Sequence, residues 1–235
     1  MLLKRTRHLW KRRAQRKLFK LAGTQGMLDE QWQHSLEDSM GFRGQWDEHR
    51  RYQMEELKRL GLTPSSTLLE IGCGPLTAGI PLIEFLASDG YVGVDVRSSV
   101  LDMSWQQIGR AGLSAKNPRL ICSDSFGSAE LGDRQFDFIW AFSVLFHLSD
   151  ELLDKLFANF SQRLAPRGQF IANIQTNADE STWLEFPFLK RSVEVYETAA
   201  AKHGLRTVNL GTIAERGFKL ESVERDNILL QFSGA

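Results

Sequence analysis

The stretch Leu68–Ile80 reads LLEIGCGPLTAGI. A short apolar run meets Gly72 and Gly74, and Pro75 then leads into a helical pattern. Glycine weakens strands and helices alike, so two of them at this junction mark a place where something approaches the main chain closely. The proline fixes the exit into the following helix.

The same alternation continues on both sides. Gln31 to Leu60 has Met54, Leu57 and Leu60 at helical spacing, and Gly61 with Pro64 ends that helix. After the glycine turn the pattern predicts a helix near Ala78 to Ala87, a strand in GYVGVDV, a helix over Ser98 to Gly109, and strands in RLICSD and FDFIWAF. DELLDKLFANFSQRL carries one apolar stripe, Leu152, Leu153, Leu156, Phe157, Phe160 and Leu164, with Pro166 and Gly168 ending it. A strand in GQFIANI, a helix over Val193 to His203 and two late strands in LRTVNL and NILLQF complete the order. Apolar strands alternating with amphipathic helices predict an α/β fold, a mostly parallel sheet with helices on both faces.

At 235 residues, 42% hydrophobic and 25% charged, the chain suits one large domain with a real core. Its zero net charge hides an asymmetry. Met1 to Lys20 holds nine Lys or Arg and no acid, leaving 20 basic against 29 acidic residues elsewhere, a net of −9. Leu3, Trp10, Ala14, Leu18 and Leu21 fall near helical spacing, so residues 1–25 read as a basic amphipathic arm. Such an arm suits an anionic membrane surface, an acidic partner or a solvated extension on its own acidic domain. Residues 26–62 read as a helical cap and 63–235 as the main domain. Two cysteines, Cys73 and Cys122, with no apolar run of the ~20 residues that cross a bilayer, point to a cytoplasmic protein, peripheral to a membrane at most.

Open parallel sheets bind ligands at the carboxyl ends of their strands, and the unusual residues fall there. Glu70, Gly72 and Gly74 close the first strand, and Asp95 the second, about 20 residues on, where an acid commonly holds a ribose diol. Asp124 and Ser125 follow the third strand, and Ala141 ends the fourth. Together they describe a nucleoside pocket. A dinucleotide fingerprint wants a third small residue where this chain has Thr77, and no Gly-x-x-x-x-Gly-Lys phosphate loop is present. A cofactor with ribose and purine but no phosphate fits better.

LLEIGCGP, GVDV, CSDSF, FDFIWAFSVLFHL and LAPRGQFIANI resemble the successive motifs of class I S-adenosylmethionine-dependent methyltransferases, over Leu57 to about Phe232. The resemblance implies a Rossmann-like seven-stranded sheet with an antiparallel last strand, in NILLQF. It implies S-adenosyl-L-methionine as cofactor, with Gly72 and Gly74 flanking its methionine part and Glu70 setting that turn. Asp95 would bind the ribose, Val96 pack on the adenine, Asp124 and Ser125 read its amino edge, and Ala141 lie beside the methionine. Pro75 stands where many members have a third glycine.

For catalysis, His147 in SVLFHLSD is the histidine placed to take a proton from an acceptor hydroxyl. A structural reading stands beside it, a helix cap or a bond to a nearby carbonyl. Asn173 after the fifth strand, Trp183 and Phe186 in STWLEFPFLK, and Trp46 ahead of the first strand are the candidate acceptor contacts. As plain structure, Asn173 is loop and the aromatics are packing. The remaining histidines are scattered, so no metal site is expected. The reading is methyl transfer to a small molecule, a hydroxyl of a sugar or secondary metabolite. A nicotinamide-dinucleotide oxidoreductase and a non-catalytic S-adenosylmethionine-binding module are the alternatives. The acidic main domain offers no basic groove for nucleic acid.

Overall fold

Short apolar strands become buried on both faces only if helices cover them from above and below, and the chain folds that way. The computed structural model describes residues 31–38, 44–176, 182–183, 186–219 and 227–234, with the side chain of Trp183 undescribed. The chain divides into residues 1–44 and 45–235. That division falls inside the 26–62 segment. In the first unit residues 31–38 are helical, and Glu37 is buried there. Its carboxylate accepts from Gln33 Nε2 at 3.1 Å and from the Gly44 main chain at 2.9 Å. The basic arm, residues 1–25, lies outside the described residues.

The second unit opens with helix α1 (Trp46–Arg59). There follow β1 (Leu68–Ile71), α2 (Gly79–Phe85), β2 (Tyr91–Asp95), α3 (Ser98–Arg110), β3 (Arg119–Cys122), α4 (Ser128–Leu131) and β4 (Phe136–Ala141). Then come α5 (Asp150–Ser161), β5 (Leu164–Gln175), a two-stranded hairpin β6 (Thr182–Trp183) and β7 (Phe186–Pro187), α6 (Val193–Ala201), β8 (Leu205–Thr212) and β9 (Asn227–Gly234). The seven-stranded sheet runs β3-β2-β1-β4-β5-β9-β8. β1 to β5 are parallel, and β9 pairs antiparallel with both β5 and β8. The late segment NILLQF is therefore the antiparallel strand that the family resemblance implied.

One core lies under α5 and α6 and holds Leu69, Ile71, Val94, Ile139, Phe157, Phe160, Phe170 and Phe232. The other lies under α1, α2 and α3 and holds Tyr52, Leu57, Leu76, Leu82, Tyr91, Trp140 and Phe218. Local chemistry sets the helix ends. Ser149 Oγ accepts from Leu152 N at 3.3 Å, with Asp150 and Glu151 in the first turn of α5. Gly61, at φ +101°, ends α1, where Leu62 N returns to Leu57 O at 2.9 Å.

Two boundaries differ from the sequence expectation. Helix Gln31–Leu60 is two stretches, with left-handed Gly44 (φ +74°) between them. Leu164, expected in the helical stripe, already pairs with Phe136 as the first residue of β5. The ladder then jumps to Phe138 opposite Gln169, so the residues around Pro166 bulge out of register. Gly168 is tightly enclosed in that bulge: a Cβ there would lie 2.6 Å from Phe136 O and 2.7 Å from Ala165 N. Gly168→Ala is expected to cost about 1–3 kcal/mol of unfolding free energy in urea titration, because both opposing groups are main chain and must shift. An unaltered midpoint would show that the bulge yields freely.

Candidate functional site

The turn after β1 is hooked to its neighbour, since the Gly72 and Cys73 N–H groups both donate to Val94 O, at 2.8 and 3.0 Å. Three alternate residues are left-handed: Gly72 (φ +66°), Gly74 (φ +51°) and Leu76 (φ +63°). At Gly72 the close approach comes from the chain itself, for a Cβ would sit 2.6 Å from Val144 Cγ2. The third left-handed position is Leu76 and not Pro75, whose ring holds φ near −65°. A leucine there costs roughly 1–2 kcal/mol against glycine, and its fully buried side chain in the α1-side core offsets this. Gly79 accommodates it, since a Cβ there would lie 2.4 Å from Leu76 Cδ2 and 2.7 Å from the Tyr91 hydroxyl oxygen.

The turn's carbonyls are claimed from outside. Ser104 Oγ donates to Gly74 O at 2.9 Å, Gln107 Nε2 to Pro75 O, and Arg50 Nε to Thr77 O at 3.0 Å. Arg50 also donates to Gln107 Oε1 at 3.2 Å, so α1 and α3 grip the turn together.

Asp95 joins the turn to β2. Its Oδ2 accepts from Gly74 N at 2.9 Å and its Oδ1 from Arg97 N at 2.9 Å. Arg97 Nε also approaches Oδ1 at 3.5 Å, and the residue is buried at 5% exposure, so of the roughly four acceptor positions of a carboxylate about one remains open. Val96, next along, is 49% exposed, an apolar surface beside a carboxylate. The loop after β3 is shaped by Ser123, to which the sequence reading gave no role of its own. Ser123 Oγ accepts from Ser125 N at 3.2 Å and Gly127 N at 3.0 Å, which leaves Asp124 and Ser125 facing outward, both exposed. This donor and acceptor set, with an apolar platform between, fits a ribose and a purine.

Glu70 stands away from that surface. It is buried and its Oε2 accepts from the Tyr91 hydroxyl at 2.5 Å. Burial pushes its carboxyl up to about 8, the Tyr91 bond pulls the other way, and Asp95 adds to the rise. Cys73 is buried as well, and burial pushes its thiol well above the usual range, so it is no nucleophile.

At the β4 end Ala141 is fully buried with its methyl in the core, so only main chain is offered there. Ser143 is left-handed (φ +60°), and its N–H donates to Asn173 Oδ1 at 2.6 Å. Asn173 Nδ2 donates in turn to Asn227 Oδ1 at 2.8 Å. Fully buried and committed at both ends of its amide, Asn173 orients the strand exit and is not an acceptor contact. Trp46 also changes role: at 2% exposure, with the Arg50 guanidinium 5.1 Å over its ring, it is packing.

His147 is half-buried in the 3-10 turn Leu145–His147. Its Nδ1 lies 2.8 Å from Pro187 O, and its ring packs 4.6 Å from Phe188 and 6.0 Å from Phe186. Phe186 also lies 6.0 Å from the Arg97 guanidinium, so the hairpin spans the gap between the ends of β2 and β4, with β1 between them. Burial lowers the imidazole pKa, with the Pro187 bond opposing it. Among the described residues no group of three or more His, Cys, Asp or Glu is placed to hold a metal ion, and no helix is long and apolar enough to cross a membrane.

Residues 69–170 match the family described as "Methyltransferase domain". No curated protein sequence matches the chain. Among solved structures, an S-adenosylmethionine-dependent methyltransferase from Clostridium acetobutylicum ATCC 824 is 16% identical, with a TM-score of 0.64 over 88% of this chain and 99% of that one. The glycopeptide N-methyltransferase MtfA, complexed with sinefungin, is 15% identical, with a TM-score of 0.62 over 80% and 94%. Magnesium protoporphyrin IX methyltransferase (ChlM) from Synechocystis PCC 6803, with bound SAM, is 14% identical, with a TM-score of 0.59 over 80% and 79%. At these identities the likeness is one of fold.

The Glu70–Tyr91 pair makes stability depend on pH. With a folded pKa of about 8 against an ordinary 4.5, the folded chain keeps a proton that the unfolded chain releases. The stabilisation is complete below about 4.5 and fades as pH rises through about 8. Glu70→Gln keeps an acceptor for Tyr91 but cannot titrate. Urea unfolding between pH 5 and 9 is expected to show the wild type losing stability relative to this variant, and parallel curves would exclude a protonated Glu70.

Proposed function

Residues 69–170 match a methyltransferase domain family and the fold is similar to that of S-adenosylmethionine-dependent methyltransferases, and we propose that the chain is a class I enzyme of this kind that methylates a small-molecule acceptor, at a hydroxyl of a sugar or other secondary metabolite. The observation that carries this is Asp95, set by the Gly74 and Arg97 N–H groups at the end of β2 beside the exposed Val96. When bound, the cofactor supplies an electrophilic methyl group on a sulfonium. On this reading Asp95 holds the ribose diol, Val96 packs on the adenine, and Asp124 with Ser125 meets its amino edge. Gly72 and Gly74 border the methionine end, and Glu70 acts from beneath by bracing the turn.

His147 fits the part of general base. A carbonyl oxygen only accepts, so the bond to Pro187 O places the neutral ring's proton on Nδ1 and its lone pair on Nε2. The lowered pKa keeps that ring neutral and basic near pH 7. Because the hairpin joins Arg97 to His147 through Phe186, we assign it the role of a cover that excludes water from the pocket. The acceptors that the neighbours' names give, a glycopeptide and magnesium protoporphyrin IX, support an organic acceptor of modest size.

Asp95→Ala is expected to weaken S-adenosylmethionine binding by roughly 1.5–3 kcal/mol, through loss of charge-assisted bonds to the diol. Calorimetry returning the wild-type constant from a folded variant would overturn the ribose assignment. His147→Ala is expected to lower turnover by roughly 10²–10⁴ with cofactor affinity intact. The acidic limb of the pH–rate profile, below the imidazole value of ~6.5, should vanish with it. Full turnover with an unchanged profile would leave His147 as the latch of the hairpin alone.

A further inference from the structure

Strand β5 alternates between the two cores, with Phe170, Ala172 and Ile174 in one and Ile171 in the other. Asn173 continues the Ile171 face and is fully buried. It stands opposite Leu229 in the antiparallel ladder with β9, and the buried Asn227, opposite Gln175, is its diagonal neighbour. The bond between the two amides, Asn173 Nδ2 to Asn227 Oδ1 at 2.8 Å, offsets little more than their own desolvation. A valine at each position would suit a buried strand pair better. Beyond itself the pair holds the Ser143 N–H, which donates to Asn173 Oδ1 at 2.6 Å.

Ser143 is where the chain leaves β4. At φ +60° it stands in a region that a residue with a Cβ avoids, so its surroundings must hold it there. The residues after it take their direction from this peptide. Val144 comes next, and its Cγ2 would lie 2.6 Å from a Cβ at Gly72, so this side chain rests on the glycine turn. Val144 O then accepts the His147 N–H at 2.9 Å and closes the 3-10 turn that carries the imidazole. The far end of that turn is held by the chain after β7: Leu189 N donates to Phe146 O at 2.8 Å and Arg191 Nη2 to Leu148 O at 2.7 Å. Those later bonds, with Pro187 O on Nδ1, set the ring against the hairpin. The bond from Ser143 to Asn173 sets the same turn against the glycine turn.

We propose that Asn173, braced by Asn227, is a positioning residue for methyl transfer, fixing through the Ser143 amide where His147 stands relative to the glycine turn. The proposal rests on the reading of His147 as the base. Methyl transfer is an in-line displacement, so base, acceptor oxygen and methyl must stay in register, and a misplacement of about 1 Å is costly. The methionine end of the cofactor belongs to β1 on that reading and the base to the exit of β4, so a third element has to relate the two. Asn173 does this from β5. An apolar side chain there would pack beneath the exit but could not select one rotation of the Ser143 peptide, because apolar burial has no direction and an N–H···O bond has one.

The test uses the full chain, isotope-labelled at its histidine ring nitrogens and saturated with S-adenosylhomocysteine, followed by nitrogen NMR. The His147 signals are assigned by their absence in His147→Ala. The wild type is expected to show one tautomer, with the proton on Nδ1 facing Pro187 O. The double variant Asn173→Val/Asn227→Val removes both amides together, so its melting temperature should stay near wild type. Its His147 signals are expected to shift toward the mixed tautomers of a free imidazole. Asn173→Ala should show the same shift at a lower melting temperature, since it strands the Asn227 oxygen. Asn173→Asp keeps an oxygen for Ser143 and is expected to keep the single tautomer, although its buried carboxylate lowers the melting temperature. Calorimetric affinity for S-adenosylhomocysteine should be unchanged in all three. Wild-type ring signals in either apolar variant, or loss of the single tautomer in folded Asn173→Asp, would overturn the positioning role. Failure of the wild type to bind S-adenosylhomocysteine would instead overturn the methyl-transfer reading beneath it, and full turnover in His147→Ala the base.

Discussion

The bond from the Gly74 main-chain N–H to the Asp95 carboxylate joins the ends of β1 and β2. A charge-assisted bond of this kind in a buried setting is stronger than its neutral counterpart, and it ties the glycine turn to the end of β2. Gly74 is left-handed in this turn, a conformation that glycine adopts at little cost. The neighbouring positions follow from the same demand. Gly72 must clear Val144, Leu76 must complete the alternating turn, and Gly79 must be small because Leu76 and Tyr91 press on it.

Around this joint the protein commits buried polar groups with unusual density. Arg50, Gln107 and Ser104 take the turn's carbonyls, Tyr91 takes Glu70, and Asn173 with Asn227 fixes the β4 exit. Each satisfied group is worth about 1 kcal/mol net, and each would cost more if left alone. The network therefore holds its geometry more firmly than an apolar core would, as a preorganised site requires. α1 takes part in this as fully as the strands do. Its Arg50 grips the turn, its Gln53 holds Trp140, and its Glu56 anchors Arg216 after β8.

Much of this was legible in the residues themselves. Strand and helix positions follow from apolar periodicity, and acids and glycines fall at successive strand ends, where open parallel sheets put their ligands. Asp95 stands buried at the end of β2, and Val96, Asp124 and Ser125 are exposed. Ser123, Leu76 and Gly79 were not visible, although Ser123 two residues before Ser125 and four before Gly127 carries the spacing of a side-chain-to-backbone turn.

What the sequence by itself determined is the order of the seven sheet strands and the main helices, the α/β class and the glycine turn, since each rests on local spacing and on the steric needs of single residues. Only the tertiary structure decided which polar side chains stay exposed and which brace the frame. Asn173 and Trp46 look like acceptor contacts in a linear reading, and packing turns both inward. His49 and Tyr52 look like ordinary helix residues, and packing brings them against Phe142 and Phe218 from the far ends of two strands. A side chain's exposure and partners depend on residues 90 to 170 positions away, and no local pattern records contacts at that range.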